Sequence, residues 1–274
     1  MDIEPSSNDG NNSIAVIGGS GFYDFLEEPS KISVTTPFDS KPVVIYRQDH
    51  KGKLLYFLPR HGRNHSIPPH KINFKANIFA IHSLSVPRVI ATSAVGSLHT
   101  LIKPGDYVLL DQFIDLVRPI TFFDGDFSVE LTQGTKISGV VHLDMTEPYC
   151  PEIRKILSVI LKDDRSTHIK GTYMTAMGPR FETPAEIKAF QHMGADVVGM
   201  TNSSEAILCR ELGICYAVIA VVTNMAAGLQ KEVSHKEVID IFKSRSANLK
   251  QIFHKTIAQL PKYRGCSCAW YVKR

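Results

Sequence analysis

The densest group of reactive side chains is Arg60-His61-Gly62-Arg63-Asn64-His65, followed closely by Pro68-Pro69-His70-Lys71. His61 and His65 have a spacing that metal sites use, but no carboxylate or thiol joins them, and Arg60, Arg63 and Lys71 would repel a divalent cation. An oxyanion fits better, because a guanidinium can hold one through two parallel hydrogen bonds. A solvated basic loop would use the same residues. Upstream, Gly18-Gly19-Ser20-Gly21 follows an apolar run. Glycine lets backbone approach a ligand and its amides can bind an anion, although a tight turn has the same composition. A dinucleotide fingerprint would need glycine where Asp24 stands, and a nucleophile elbow would need it where Phe22 stands. No Walker A sequence occurs.

Further along, Thr92-Ser93-Ala94-Val95-Gly96-Ser97 offers hydroxyls and amides that could complete an anion pocket or simply form a strand exit. Three more stretches each follow an expected strand: Gly178-Pro179-Arg180-Phe181-Glu182-Thr183, Gly199-Met200-Thr201 and Thr223-Asn224-Met225-Ala226-Ala227-Gly228. Asn224 carries both a donor and an acceptor, and if buried it must find partners for both. Anchoring a loop is the plainer use of such a residue.

These stretches need a scaffold, and the apolar pattern supplies one. Residues 14–18, 43–46, 54–58, 88–93, 107–110, 171–176, 196–199 and 216–223 read as strands. Continuous apolar runs such as Val218-Ile219-Ala220-Val221-Val222 suit strands covered on both faces. Val238, Ile241, Phe242, Leu249, Ile252, Phe253, Ile257 and Leu260 fall on one helical stripe. Ser234 with Glu237, and Thr183 with Glu186, match capping boxes. They put His235 at a first helical position and Glu182 just ahead of a cap, both at strand-to-helix junctions where α/β proteins build ligand sites. The pattern predicts a single α/β domain with a central β-sheet flanked by helices over residues 13–262, after a disordered lead-in at 1–12 and before a Cys-x-Cys tail at 263–274.

Bulk properties narrow the class. The chain has 274 residues, 43% hydrophobic and 21% charged, the make-up of a globular protein with a substantial core. A formal charge of +4, with no basic run, is too small to argue for nucleic acid. The longest unbroken apolar stretch, Ile214 to Val222, is far shorter than the roughly 20 residues that span a bilayer. The polar, acidic N-terminus lacks the features of a signal peptide, so a cytosolic location is expected. Five cysteines at irregular spacing make no secreted disulfide framework. Cys266-Ser267-Cys268 could be a redox pair, a partial metal site, or unpaired thiols on a loose tail.

Taken in order, GGSG, RHGRNH with PPHK, SAVGSL, PGDYVLLDQFID, FFDG, GPRFET, GADVVGMT and VTNMAAG resemble the trimeric purine nucleoside phosphorylase and methylthioadenosine phosphorylase family from about Ile14 to Leu260. The resemblance implies a mixed sheet, assembly as trimers or dimers of trimers, and phosphorolysis of a purine nucleoside without metal or organic cofactor, inorganic phosphate being the co-substrate. It assigns phosphate binding to Ser20, Arg60, His61, Ser93, Ala94 and Thr201, puts Met200 against the ribose and sets His65 nearby. His142 is a candidate for completing a neighbour's ribose site. Cys150, Cys209, Cys215 and the Cys-x-Cys tail resemble the pattern of archaeal members, where such cysteines can pair. One departure is Ser203-Ser204-Glu205, where the family usually has proline just before the glutamate.

Within the family, RHGRNH and DQFID resemble the methylthioadenosine branch, whereas three specificity positions point to 6-oxopurines. That branch typically has Thr-Asp-x-Asp where this chain has Thr223-Asn224-Met225-Ala226. Asparagine can donate to a 6-oxo group and accept from a protonated N7. Glu182, where amino-purine enzymes usually have serine, can accept from N1–H and from the guanine 2-amino group. His235 replaces a small apolar residue and can bond a ribose 5′-hydroxyl. Asn224, Ala226, Glu182, His235, His65 and Met200 are thus the expected nucleoside contacts, with Asn224 stabilising the leaving purine and inosine and guanosine as the expected substrates.

Overall fold

The computed structural model describes residues 12–19, 22, 24–62, 65–117, 119–125, 127–130 and 136–269. The expected lead-in lies almost wholly outside them. Within them the chain runs β1 (Ser13–Gly18), β2 (Ser30–Thr36), β3 (Asp39–His50), β4 (Lys53–Pro59), α1 (Phe74–Ser83), β5 (Arg88–Ser97), β6 (Tyr107–Leu109) and β7 (Gln112–Ile114). A short ribbon, β8 (Ser128–Glu130) and β9 (Lys136–Ser138), precedes α2 (Pro151–Leu161), β10 (Thr167–His168), β11 (Thr172–Thr175), α3 (Pro184–His192) and β12 (Val197–Gly199). The chain then forms α4 (Asn202–Glu211), β13 (Cys215–Met225) and α5 (His235–Gln259).

Eleven strands make one mixed sheet in the order β10-β6-β13-β5-β1-β4-β3-β2, with β7, β11 and β12 attached through β12 to β5. The central pairs β13/β5, β5/β1 and β1/β4 are parallel. Period-2 alternation divides the core between the two faces. From β13, Tyr216, Val218, Ala220 and Val222 join Phe74, Ile78 and Ile81 of α1 on one side. Cys215, Ala217, Ile219 and Val221 join Leu157 of α2 and Leu249, Ile252 and Phe253 of α5 on the other. Each fully buried branched side chain contributes about 1.5–3 kcal/mol of transfer free energy, which explains why the uninterrupted apolar run of β13 belongs at the sheet centre.

Several strands run further than the sequence pattern predicts, β3 among them, and two of these extensions bear on the site. β5 extends to Ser97, so Ala94–Ser97 is strand rather than loop. β13 extends to Met225, so Asn224 stands in the strand rather than beyond it. Glycine and serine read as turn-formers there, but pairing between these two strands overrides local preference. Ser203–Glu205 is likewise not a loop: it is the first turn of α4.

The functional feature of this sheet is a split. Along one edge β5 pairs with β1 through Val89–Ala91 and with β12 through Gly96 and Ser97. Between these, Thr92–Val95 has no registered partner on that edge among the described residues, while β13 lies along the other. The strand thus opens its main chain to a cavity between the end of β1 and the end of β12.

Candidate active site

A cavity of about 320 Å³ fills this split. Gly19 beyond β1, Ser93–Gly96 of β5, and Gly199-Met200-Thr201 at the end of β12 form its floor, and the β4–α1 connection, the segment before α3 and the start of α5 form its walls. Ser93 and Gly96 are three residues apart on a strand, about 10 Å, a length that takes an anion, a pentose and a base in line.

Arg60 follows β4 and is 2% exposed. Its Nε and Nη2 donate to the two carboxylate oxygens of Glu205, and its Nη1 donates to the Thr92 carbonyl at 2.9 Å. That last bond caps main chain left bare by the split. Burial opposes the guanidinium charge, but Glu205 outweighs it and holds the group protonated above its ordinary range. Arg60 lines the cavity beside Gly19, where an added Cβ would sit 3.2 Å from Nη1, so glycine is what admits the guanidinium there.

His61 donates Nδ1–H to the Ile67 carbonyl at 2.9 Å, the tautomer following from that acceptor. Burial, reinforced by Arg60, lowers its pKa to about 3. The imidazole is therefore neutral, with Nε2 as an acceptor suited to a protonated phosphate oxygen. Thr201 caps α4 without using its hydroxyl, and its N–H donates to the Tyr173 hydroxyl at 3.0 Å. The hydroxyl of Ser93 and the main chain of Ala94 complete a wall of small polar groups.

Asn224 owes its aim to a bulge. β13 pairs Val222 with Val95 and Asn224 with Gly96, leaving Thr223 as an extra residue. A one-residue shift reverses the face a side chain takes. The Asn224 amide donates to the Met225 carbonyl at 2.9 Å, and its oxygen accepts from the Thr223 hydroxyl at 3.0 Å. One amide hydrogen and one oxygen lone pair remain to face the cavity. Glu182 immediately precedes the full Thr183/Glu186 capping box of α3, and desolvation raises its carboxyl pKa. His235 is the first residue of α5, whose Ser234 cap accepts from the Glu237 N–H; the Glu237 side chain bonds Gln230 instead of closing the box. The rings of His61 and His65 are 4.3 Å apart and those of His65 and His235 5.6 Å, a file of three imidazoles along one wall.

The structure thus gathers Arg60, His61, His65, Ser93, Ala94, Glu182, Met200, Thr201, Asn224 and His235 around one cavity. Ser20 lies outside the described residues. Ala226 is not among the residues that line the cavity: its N–H pairs with the Ser97 carbonyl at 2.8 Å and it packs with Leu98, Met174, Ile187 and the wall residue Val198. His142 is exposed and does not line the cavity. Phe181, Val198, Thr223 and Val238 do line it and were not expected. Three had a signal: Phe181 adjoins Glu182, Thr223 adjoins Asn224, and Val238 follows His235 by one helical turn.

Residues 13–258 match the model of the phosphorylase superfamily. The chain is 47% identical over 260 residues to the 6-oxopurine nucleoside phosphorylase of Pyrococcus furiosus, covering 93% of this chain and 96% of that one. It is 39% identical over 263 residues to the S-methyl-5′-thioadenosine phosphorylase of the same organism, covering 95% and 97%. Among solved structures, methylthioadenosine phosphorylase from Schistosoma mansoni in complex with adenine superposes with a TM-score of 0.83 at 31% identity, covering 95% and 96%. The chain belongs to the phosphorylase superfamily.

Proposed function

We propose that this protein is a 6-oxopurine nucleoside phosphorylase: a pentosyltransferase that converts inosine or guanosine and phosphate to free base and ribose 1-phosphate, as in purine salvage. The observation that carries the reading is that Asn224 and Glu182 share one cavity with Arg60, His61, Ser93 and Thr201. An arrangement selective for a 6-oxopurine thus stands beside one suited to an anion. The higher identity to a 6-oxopurine enzyme than to a methylthioadenosine enzyme of one organism supports it.

In this reading the glycosidic bond stretches first and the ribose gains cationic character. A phosphate held by Ser20, Arg60, His61, Ser93, Ala94 and Thr201 then attacks the anomeric carbon from the face opposite the base. Met200 lies under the ribose, with His65 and His235 toward its 5′ end. Asn224 accepts from N7 as that atom gains a proton and donates to O6, so its bonds strengthen as charge develops on the purine. The reaction needs no protein nucleophile, metal or organic cofactor. The working form is a cytoplasmic trimer or dimer of trimers; no helix among the described residues is long and apolar enough to cross a membrane.

A second reading, 5′-methylthioadenosine or methylthioinosine phosphorolysis, is favoured by Val238, an apolar wall residue one turn from His235. A substrate panel with and without phosphate decides. Phosphate-dependent turnover of inosine and guanosine is expected. Preference for a methylthio-nucleoside would promote the second reading, phosphate-independent turnover would indicate a hydrolase, and binding without ribose 1-phosphate would indicate a nucleoside receptor.

A further inference from the structure

Far from the cavity, four of the five cysteines converge. Cys150 caps the start of α2, Cys215 opens β13, and Cys266 and Cys268 come from the segment after α5. Their sulfurs all lie within 4.8 Å of one another, with Cys215 and Cys266 3.2 Å apart. Cys150, Cys215 and Cys268 are buried and Cys266 is half-buried. Specific bonds hold the segment that leads into Cys266: Gly265 N–H donates to Glu152 at 2.7 Å and Arg264 to the Gly213 carbonyl at 2.7 Å.

We propose that Cys150, Cys215, Cys266 and Cys268 form a tetrathiolate site for one zinc ion that fastens the C-terminal segment to the base of the sheet. Four sulfurs mutually this close can surround a single point, as a tetrahedral ion requires. A tetrahedron with metal–sulfur bonds of about 2.3 Å has edges of about 3.8 Å, a value the observed separations bracket. An all-sulfur donor set selects zinc over magnesium or calcium. Four protein ligands leave no open position, which makes the site structural rather than catalytic. Asn224 is nine residues along β13 from Cys215, about 30 Å of strand, so the ion takes no part in the reaction.

The surroundings suit the charge. Zinc with four thiolates is a dianion, the thiol protons leaving to solvent on binding. Arg264 Nη1 lies 4.0 Å from Cys215 Sγ. Arg88, opposite Cys215 in the sheet register, is 2% exposed, and its Nε has no hydrogen-bond partner among the described residues. Cys209 is buried in the cluster on the opposite face of the sheet and serves as an internal control.

The test is metal analysis of the full chain purified with reductant and refolded in excess zinc. One zinc per chain is expected, and cobalt(II) in its place should give the intense visible absorption of a tetrahedral tetrathiolate. Cys266→Ser with Cys268→Ser should abolish both and lower Tm, while kcat/KM for inosine stays within about twofold at room temperature; Cys209→Ser should retain the metal. If the double variant does not fold, Cys266→Ser alone, at the half-buried ligand, should weaken cobalt binding at least tenfold. No zinc after refolding would overturn the proposal. So would thiol titration of the unfolded, unreduced protein that finds only Cys209 free, since the four sulfurs would then be disulfides.

Discussion

Arg60 and Glu205, 145 residues apart, form a two-pronged buried ion pair, with side chains 1% and 3% exposed. Tyr216 adds a hydroxyl donor to Glu205 at 2.7 Å. The arginine that faces the anion pocket is thus largely neutralised from behind. In the proposed reading its remaining Nη1 edge and the polar groups beside it take the anion, and the pair fixes where that edge points.

This arrangement separates structure from binding. Removing one member of a buried pair costs about 3–5 kcal/mol, because the other charge is left uncompensated. Arg60→Met should therefore unfold at markedly lower denaturant and also raise the KM for phosphate, since Glu205 would then repel the anion. Arg60→Met with Glu205→Gln should recover most of the stability and none of the phosphate affinity. Equal phosphate KM in wild type and double variant would remove Arg60 from the anion site.

The Ser204 hydroxyl is buried in the first turn of α4 and has no partner among the described residues. A proline, usual in the family here, would bring no hydroxyl to bury, and the first helical turn tolerates its missing N–H. An orphaned buried hydroxyl costs about 1–3 kcal/mol. Ser204→Ala should raise stability by about 1 kcal/mol in equilibrium denaturation with activity intact; a loss of stability would show that the hydroxyl is satisfied.

The central strands and the terminal helix were legible because their apolar periodicity is strong and local. The wall of the cavity was legible through motifs that each stand at the end of a strand. Other features depend on contacts that no local pattern reports. Nothing near Arg60 marks Glu205 as its partner. The partner change of β5 is a property of β1 and β12 together. The bulge at Thr223 turns Asn224 toward the cavity and sends Ala226 into a small core, a one-residue offset that spacing alone cannot reveal. The four cysteines span Cys150 to Cys268 and meet only once α2, β13 and the tail are assembled.

His61 makes stability depend on pH. Its pKa falls to about 3 in the fold, against about 6.5 unfolded. Between these values the unfolded chain binds the extra proton, so stability is full above about pH 6.5 and drains as pH falls toward 3, by up to about 1.4 kcal/mol per pH unit. His61→Gln lacks this linkage. Without phosphate, wild type should lose stability faster than the variant between pH 6.5 and 4. Parallel curves would mean that His61 titrates normally.

At the 5′ end, His235 is an exposed first residue of α5 beside buried Val238. His235→Val removes a donor and extends apolar surface. The ratio of kcat/KM for methylthioinosine over inosine should rise by about tenfold, on the order of one lost hydrogen bond. An unchanged ratio would exclude contact between His235 and the 5′ substituent.

In the proposed function, base selectivity rests on Asn224 and Glu182, which line one cavity. The Asn224 amide is held by Thr223 and Met225, so its donor cannot turn away from a 6-amino group without losing one of those bonds. Adenine N1 carries no hydrogen, leaving Glu182 a lone pair with nothing to accept. Sites built on such bonds reject a mismatched analogue by up to about 10⁴-fold. Exposure near Glu182 admits water, which relieves part of the mismatch, so a preference of about 10²-fold for inosine over adenosine is expected. Burial raises the Glu182 pKa; as pH falls through that raised value the carboxylate stops accepting from N1–H, and the preference for inosine over adenosine should shrink. Asn224→Asp with Glu182→Ser should move the enzyme toward adenosine or methylthioadenosine without full activity, because Ala226 supplies no second carboxylate. The measurement is kcat/KM for inosine, guanosine, adenosine and methylthioadenosine in saturating phosphate, and wild-type preference for either amino-purine would overturn the assignment.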